Sequence, residues 1–308
     1  MSVAQQIQNL LFSLEEKAAF SKEDYEICEN YPLAKLTTFC TGGPALVLFP
    51  EKKEVLSFLI PLLIKEKIPY YILGNGSNVI ALDEGYKGLI VSTLRLKNTT
   101  VSENEITADC GASLTGTASL AYKSGLSGME NLYGIPGTVG GAVFMNAGAY
   151  GGECKDVVSS VSVLTPDGVI KTLSGEEAEF GYRTSRFEKS GEVILSATFS
   201  LTPGDKDEIK SKMDDFMNRR RSKQPLEFPS AGSTFKRYEG RFTAQMIDEA
   251  GLKGARVGGA MVSEKHAGFV INYDNATSAD ILNLIDHVKK VILEKEGLHI
   301  QCEVRVIQ

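Results

Sequence analysis

The chain has 308 residues, a length that predicts two or three domains. Lys and Arg number 33 against 39 Asp and Glu, a formal charge of −6. That balance argues against a protein built mainly to hold nucleic acid, and leaves room for a local basic pocket that takes a phosphorylated small molecule. Hydrophobic content of 43% with 23% charged residues excludes disordered, collagen-like and disulfide-scaffold chains.

Met1–Phe20 reads as an amphipathic helix and lacks a signal-peptide layout. A loop follows, then a turn at Gly42-Gly43-Pro44 and a buried strand at Ala45–Phe49. Val55–Glu66 has a helical pattern that stops before Pro69. Its most apolar part, Val55–Ile64, contains Pro61 and is too short to span a bilayer. No membrane association and a cytoplasmic protein are therefore expected. Short strands follow at Tyr70–Leu73, Val79–Leu82 and Gly88–Val91, with the glycine turn Gly74–Asn78 between the first two. This alternation of strand and helix favours a small α/β unit.

From about Thr99 the pattern becomes α+β. Val101–Ala108 reads as a strand, and Ser113 caps a helix that ends at Gly125. The glycine-dense segment Gly125–Gly152 follows. Val157–Leu164, Val169–Leu173 and Val193–Leu201 read as strands. A charged helix, Asp205–Lys223, carries Ile209, Met213, Phe216 and Arg220 on one stripe and is stopped by Pro225. The last third has a helix at Thr243–Ala250 closed by Gly251, a strand at Phe269–Asn272, and an amphipathic helix at Ala279–Glu296. Ile281, Leu284, Ile285, Val288 and Ile292 share one face of that helix. In the final strand, Ile300–Ile307, alternation turns Ile300, Cys302, Val304 and Val306 one way and Gln301, Glu303 and Arg305 the other. Domain joins fall near residues 94 and 224.

The five cysteines are odd in number and show no zinc spacing, which predicts reduced thiols and no metal. The three histidines form no H-E-x-x-H. Gly74–Asn78 lacks the G-x-G-x-x-G entry to a helix, and no G-x-x-x-x-G-K-[ST] occurs. Successive N–H groups in such a turn form an anion nest, so a pyrophosphate cradle and a tight hairpin turn fit the residues equally. Gly134–Glu153 favours a flat or extended ligand lying on the main chain over a tightly packed helix–sheet crossover. Tyr182–Phe187, Pro229–Arg237 and Glu303 are the remaining polar clusters. Taken singly each reads as structural: a solvated arginine, a turn-forming serine, a weak surface pair of Glu303 with Arg305.

GNGSNVIALDEGYKGLIV, GIPGTVGGAVFMNAGAYGGE, GYRTSRF, PSAGSTFKR and CEVRVI occur in that order. As a set they resemble the UDP-N-acetylenolpyruvylglucosamine reductase (UDP-N-acetylmuramate dehydrogenase) family from about Tyr31 to Gln308. The resemblance implies an α+β chain: a two-subdomain FAD-binding fold of the vanillyl-alcohol-oxidase type plus a C-terminal α/β substrate-binding domain. The implied division is 1–93 with the C-terminal strand 298–308, 94–223, and 224–297. It implies FAD, NADPH as co-substrate, a UDP-sugar substrate, and a product that feeds peptidoglycan synthesis, with no obligate protein partner. Arg183 then matches the family's catalytic arginine, Ser233 its proton donor and Glu303 its catalytic carboxylate. Gly74, Asn75, Gly76, Ser77, Asn78, Gly137, Thr138, Gly140, Gly141, Asn146, Gly148 and Ala149 match FAD positions. Arg220, Arg221, Arg237 and His266 resemble substrate-side positions. The interval from Arg183 to Ser233 is too short for a tyrosine-bearing loop over the substrate, which implies the shorter subtype. No histidine precedes His266, so the FAD is expected to be non-covalent. Two other readings stay open: an FAD-dependent oxidase of a small alcohol, and a non-catalytic regulator that binds a nucleotide sugar.

Overall fold

Apolar residues at helix and strand spacing form most of the elements expected of them. The computed structural model describes residues 3–16, 21–238 and 240–308. A helix occupies Val3–Glu16, and the rest of the helical reading, at 1–2 and 17–20, lies outside the described residues. Contacts group the chain into two compact units. The first takes Met1–Glu29, Leu46–Asn75 and Gly88–Asn218, and the second takes Asn30–Ala45, Gly76–Lys87 and Arg219–Gln308.

A four-stranded sheet, most of whose residues belong to the first unit, runs in the order Tyr25–Pro32, Pro44–Pro50, Tyr86–Ser92, Tyr70–Leu73. Its last two strands are parallel, and the helix Lys53–Lys65 buries Val55, Leu56, Leu59, Ile60 and Leu63. A second, antiparallel sheet runs in the order Ile170–Ser174, Val158–Leu164, Val193–Ser200, Glu105–Asp109, Thr99–Ser102. The single strand expected at Val101–Ala108 is in fact divided between the two arms of a hairpin, Thr99–Ser102 and Glu105–Asp109. Glu103 turns left-handed there, with φ 52°, and the polar run Ser102–Asn104 is where the chain reverses. Ser113 caps the helix Leu114–Lys123 by accepting from the Gly116 N–H. Cys110 and Cys154 lie in the core of this unit, and burial pushes both thiols up to about 12. Neither is a nucleophile near neutral pH.

In the second unit, Arg256–Val257, Ala260–Val262 and Val270–Asn272 form an antiparallel three-stranded sheet. Its first two strands are too short to show a period of two, and only the third is legible in the sequence. The helix Ser278–Glu296 buries Ile281, Leu284, Ile285, Val288 and Ile292 against Phe39, Ile80, Phe235, Met246 and Ile247 in one core. Thr277 and Asp280 close its first turn as a capping box, which satisfies two N–H groups that a helix start leaves unpaired.

The C-terminal segment departs from simple alternation. Cys302 bridges Phe235, the chain bends at Val304, and only Arg305–Ile307 continues as a strand, parallel to Val79–Ala81. Ile300, Val304 and Ile307 are buried, whereas Val306 is 37% exposed. The bend shifts the phase by one residue, and a one-residue slip turns every following side chain to the opposite face. Among the described residues no helix is long and apolar enough to cross a membrane.

Thr277→Ala removes the cap of the longest helix of the second unit and is expected to cost about 1 kcal/mol. The readout is a lower urea midpoint with an unchanged slope; an unaltered midpoint would show that the cap contributes nothing to the unit.

Candidate active site

The turn at Gly74–Asn78 carries the chain out of the strand Tyr70–Leu73. The Asn75 side chain donates to the Pro136 carbonyl at 2.7 Å. Gly76 has φ +59°, and a Cβ there would collide with the Leu36 carbonyl oxygen and the Thr37 Cα. The Thr38 N–H donates to the Gly76 carbonyl at 3.1 Å, and the Thr38 hydroxyl donates to the Ser230 carbonyl at 2.6 Å. Glycine at 76 is therefore required by the chain's own packing, before any ligand is considered. Among the described residues, the N–H groups of Gly76, Ser77 and Asn78 have no protein acceptor. Three consecutive unpaired donors in a half-buried turn are the anion nest expected of a pyrophosphate cradle, so the residues present fit FAD.

The glycine-dense segment divides in two. Thr138 caps the helix Val139–Phe144 by accepting from the Gly141 N–H. The Gly140 N–H donates to the Cys110 carbonyl at 2.8 Å, and a Cβ at 140 would press on the Cys110 Cβ. Gly148–Ala149 pairs with Gly152–Glu153, and a Cβ at 148 would meet the Gly152 carbonyl. Main-chain packing thus explains Gly140 and Gly148 without a ligand. Gly137, Gly141, Gly148 and Ala149 keep surface that a ligand can touch, whereas Thr138, Gly140 and Asn146 are enclosed.

Asn146, expected on the cofactor, is completely buried and has φ +44°. Its amide donates to the Glu153 carboxylate at 3.0 Å and to the Gly181 carbonyl at 2.9 Å. Its Oδ1 accepts from the Lys155 N–H at 3.0 Å. The enclosure places those atoms on protein partners.

Arg183 sits in the tight turn that Gly181 and Thr184 close. Its φ is +55°, a conformation that costs a non-glycine residue energy and that clusters at functional sites. Nη2 donates to the Gly148 carbonyl at 2.9 Å, and the guanidinium lies 5.3 Å from the Tyr182 ring centre. The buried Ser185 hydroxyl donates to the Phe144 carbonyl at 2.7 Å, anchoring the far side of the turn.

In the second unit, Ser233 is exposed beside the fully buried Thr234. Thr234, which sequence reasoning missed, organises the region. Its carbonyl accepts from the Glu303 N–H at 2.8 Å and its hydroxyl accepts from the Val270 N–H at 3.0 Å. Its own N–H donates to the Gly268 carbonyl at 2.8 Å. The Asn78 side chain donates to the Glu303 carbonyl at 3.4 Å, and the Asn78 carbonyl accepts from the Arg305 N–H at 3.0 Å. The Gly268 N–H donates to His266 Nδ1 at 3.1 Å. Burial, aided by Lys253 and Lys223, pushes the imidazole below its usual value. His266 therefore contributes stability that is fully present above about pH 6.5 and is lost as pH falls through its lowered folded value.

The structure thus brings Asn78, Ser233, Glu303 and His266 into one neighbourhood of the second unit. Arg220 is buried and donates to Gln224 at 3.1 Å. Arg221 is exposed, and its carbonyl accepts from Lys265. Arg237 is exposed and lies over the Phe242 ring.

Residues 44–174 match the FAD binding domain family, which makes the chain a flavoprotein with an FAD-binding module. Residues 224–307 match the UDP-N-acetylenolpyruvoylglucosamine reductase, C-terminal domain. The UDP-N-acetylenolpyruvoylglucosamine reductase of Limosilactobacillus reuteri subsp. reuteri is 48% identical over 285 residues, covering 92% of this chain and 96% of the relative. That of Clostridium novyi is 46% identical over 302 residues, covering 98% of each. The crystal structure of UDP-N-acetylenolpyruvylglucosamine reductase from Thermus caldophilus superposes with TM-score 0.80 at 34% identity, over 92% of this chain and 100% of that one. The chain belongs to the UDP-N-acetylenolpyruvoylglucosamine reductase family.

Gly76→Val is expected to destabilise the flavin-free protein itself by about 2 kcal/mol or more, because valine disfavours the backbone angle and its side chain would collide with the Leu36 carbonyl. Urea unfolding of the apoprotein reads this directly. An apoprotein of wild-type stability that merely loses FAD would assign the glycine to the ligand instead.

Proposed function

We propose that this chain reduces the enolpyruvyl double bond of UDP-N-acetylenolpyruvylglucosamine to give UDP-N-acetylmuramate, a peptidoglycan precursor. The observation that carries the reading is the match of an FAD-binding module and a reductase-specific C-terminal domain in one chain whose relatives align over nearly their whole length. When bound, FAD would supply the redox chemistry that links oxidation of NADPH to hydride addition at the vinyl CH₂ of the substrate. FAD is held non-covalently, chiefly by the N–H groups of Gly76, Ser77 and Asn78 on its pyrophosphate and by the accessible backbone of Gly137, Gly141, Gly148 and Ala149. Gly74 and Asn75 shape the turn, and Thr138 and Gly140 shape the helix start beside it.

Arg183 stabilises the negative charge that develops at C2 and spreads into the substrate carboxylate, through a charge-assisted hydrogen bond. The Ser233 hydroxyl gives C2 its proton, so that hydride and proton together saturate the double bond. Glu303 polarises this proton transfer. Support for pairing Ser233 with Glu303 comes from the hydrogen bond that the Glu303 N–H donates to the carbonyl of Thr234, the residue after Ser233. Arg220, Arg221, Arg237 and His266 serve the diphosphate and sugar side. The chain is of the shorter subtype: the interval between Arg183 and Ser233 is occupied by the helix Phe187–Ser190, the strand Val193–Ser200 and the helix Lys206–Lys223. The same reading divides the chain into 1–93 with 298–308, 94–223 and 224–297, and places it in the cytoplasm, where its substrate and NADPH would be found.

The deciding experiment is anaerobic. NADPH should bleach the yellow protein, and UDP-N-acetylenolpyruvylglucosamine should restore the colour. Bleaching by a small alcohol, without recolouring by the sugar nucleotide, would favour an oxidase; a colourless protein that binds the sugar nucleotide would favour a regulator.

Single substitutions separate the roles. Ser233→Ala and Glu303→Gln are each expected to leave reduction by NADPH near wild type and to slow recolouring by roughly 10²-fold or more. Equal loss in both half-reactions would make either residue structural, and normal recolouring in Glu303→Gln would return it to a surface role. Arg183→Lys keeps the charge and loses the planar fork. It should lower the rate of recolouring more than the affinity for substrate; an effect on affinity alone would make Arg183 a docking residue.

A further inference from the structure

We infer that Asn146 is a positioning residue for Arg183, tying the turn that presents the guanidinium to the glycine hairpin that receives it. The inference rests on the proposed role of Arg183, and concerns contacts within the first unit only.

The turn Gly181–Thr184 is held at three points. The Asn146 amide donates to the Gly181 carbonyl at 2.9 Å. Arg183 Nη2 donates to the Gly148 carbonyl at 2.9 Å. The Ser185 hydroxyl donates to the Phe144 carbonyl at 2.7 Å. Asn146 lies between the two acceptors Phe144 and Gly148 in sequence, so one short stretch of chain carries all three ties. Arg183 itself stands in a left-handed conformation, φ +55°, that its own residue type disfavours. Something outside the turn must hold it there. Ser185 fixes the C-terminal flank, and Asn146 fixes the N-terminal flank by holding the carbonyl two residues before Arg183.

Asn146 is suited to this because it is held in turn. It is fully buried, its second amide hydrogen goes to the Glu153 carboxylate at 3.0 Å, and its Oδ1 accepts from the Lys155 N–H at 3.0 Å. Glu153 is fixed by the Lys155 ammonium at 2.9 Å, and its main-chain N–H donates to Asp156 at 2.7 Å. The asparagine therefore joins three segments: the hairpin strand ending at Glu153, the turn Cys154–Asp156, and the arginine turn. Removing its side chain leaves the Gly181 carbonyl with only the longer bond from the Thr184 N–H, at 3.4 Å, and frees Arg183 to leave the geometry in which its fork meets developing charge. Misplacement of this kind lowers a rate without removing a binding contact.

Two variants test this with different chemistry. Asn146→Gly tolerates the positive φ and deletes all three side-chain bonds. It should retain FAD and its reduction by NADPH, slow substrate-dependent recolouring at least tenfold, and leave the substrate concentration at half-maximal rate within about threefold. Asn146→Asp keeps the shape and the acceptor for Lys155, and loses the amide donors. The introduced carboxyl would face the Glu153 carboxylate and the Gly181 carbonyl, which both disfavour its ionised form. Lys155, Asp156, Arg183, the Tyr150 and Tyr182 phenols and the buried thiol of Cys154 are the other ionisable groups of these segments. Protonation returns one donor, so the recolouring rate of Asn146→Asp, relative to wild type at each pH, should rise as pH falls; a purely structural defect has no such profile. Wild-type recolouring in Asn146→Gly overturns the inference. So does equal loss in both half-reactions, a flat relative pH profile in Asn146→Asp, or failure of both variants to yield folded yellow protein. Arg183→Lys is run in parallel. If it recolours normally, the reading of Arg183 fails; if it is slow while Asn146→Gly is normal, only the positioning role fails.

Discussion

The second unit depends on a short line of main-chain hydrogen bonds at the very end of the chain. The Glu303 N–H reaches the Thr234 carbonyl, and the Arg305 N–H reaches the Asn78 carbonyl. Two bonds, each worth about 1 kcal/mol net, lie two residues apart and hold segments that are distant in sequence. They bring the carboxylate-bearing residue 303 beside Ser233 on one side and beside the Gly76–Asn78 nest on the other. The bend at Val304 makes this possible. It lets the chain leave its bridge with Phe235 and continue as a strand against Val79–Ala81. An uninterrupted strand would keep one register throughout and reach only one of the two.

The first unit rests on a different constraint, the close approach of backbone to backbone. The Gly140 main chain lies on Cys110, and the Gly148 main chain lies on the far arm of its own hairpin. These contacts bring Asn146 into the interior and leave the Gly148 carbonyl aimed at Arg183. Glycine density in this segment thus has two causes that sequence alone merges. Some glycines let the chain approach itself, and others leave surface for a ligand. In an FAD-binding flavoprotein both are needed, because a flat cofactor is held by main chain only where that main chain is itself immobile.

Much of the architecture was legible because it follows from local pattern. The period of Ile281, Leu284, Ile285, Val288 and Ile292 specified the long helix and its buried face, and Ser113 marked a helix start that the structure reproduces. The ordered motifs around Gly76, Asn146, Arg183, Ser233 and Glu303 carried the family, since each is a short run whose residue types are tied to one local backbone shape. The hairpin at Glu103, the two short strands Arg256–Val257 and Ala260–Val262 and the phase change at Val304 were not legible. Each is set by a turn or bend whose direction depends on the strand it will meet, and two or three residues cannot display a period.

The sequence by itself determined the class of chain, the long amphipathic elements, and the identity of the polar residues available for chemistry, because these depend on composition and on spacing along one segment. Only the tertiary structure decided which of those residues face outward and which hold others in place. Asn146 reads from sequence as a cofactor contact, and the fold encloses it behind the arginine turn. Thr234 reads as an unremarked neighbour of Ser233, and the fold makes it the acceptor for Glu303. The physical reason is the same in both cases: a buried amide or carbonyl must find a partner, and that partner comes from a part of the chain that spacing along the sequence does not reveal.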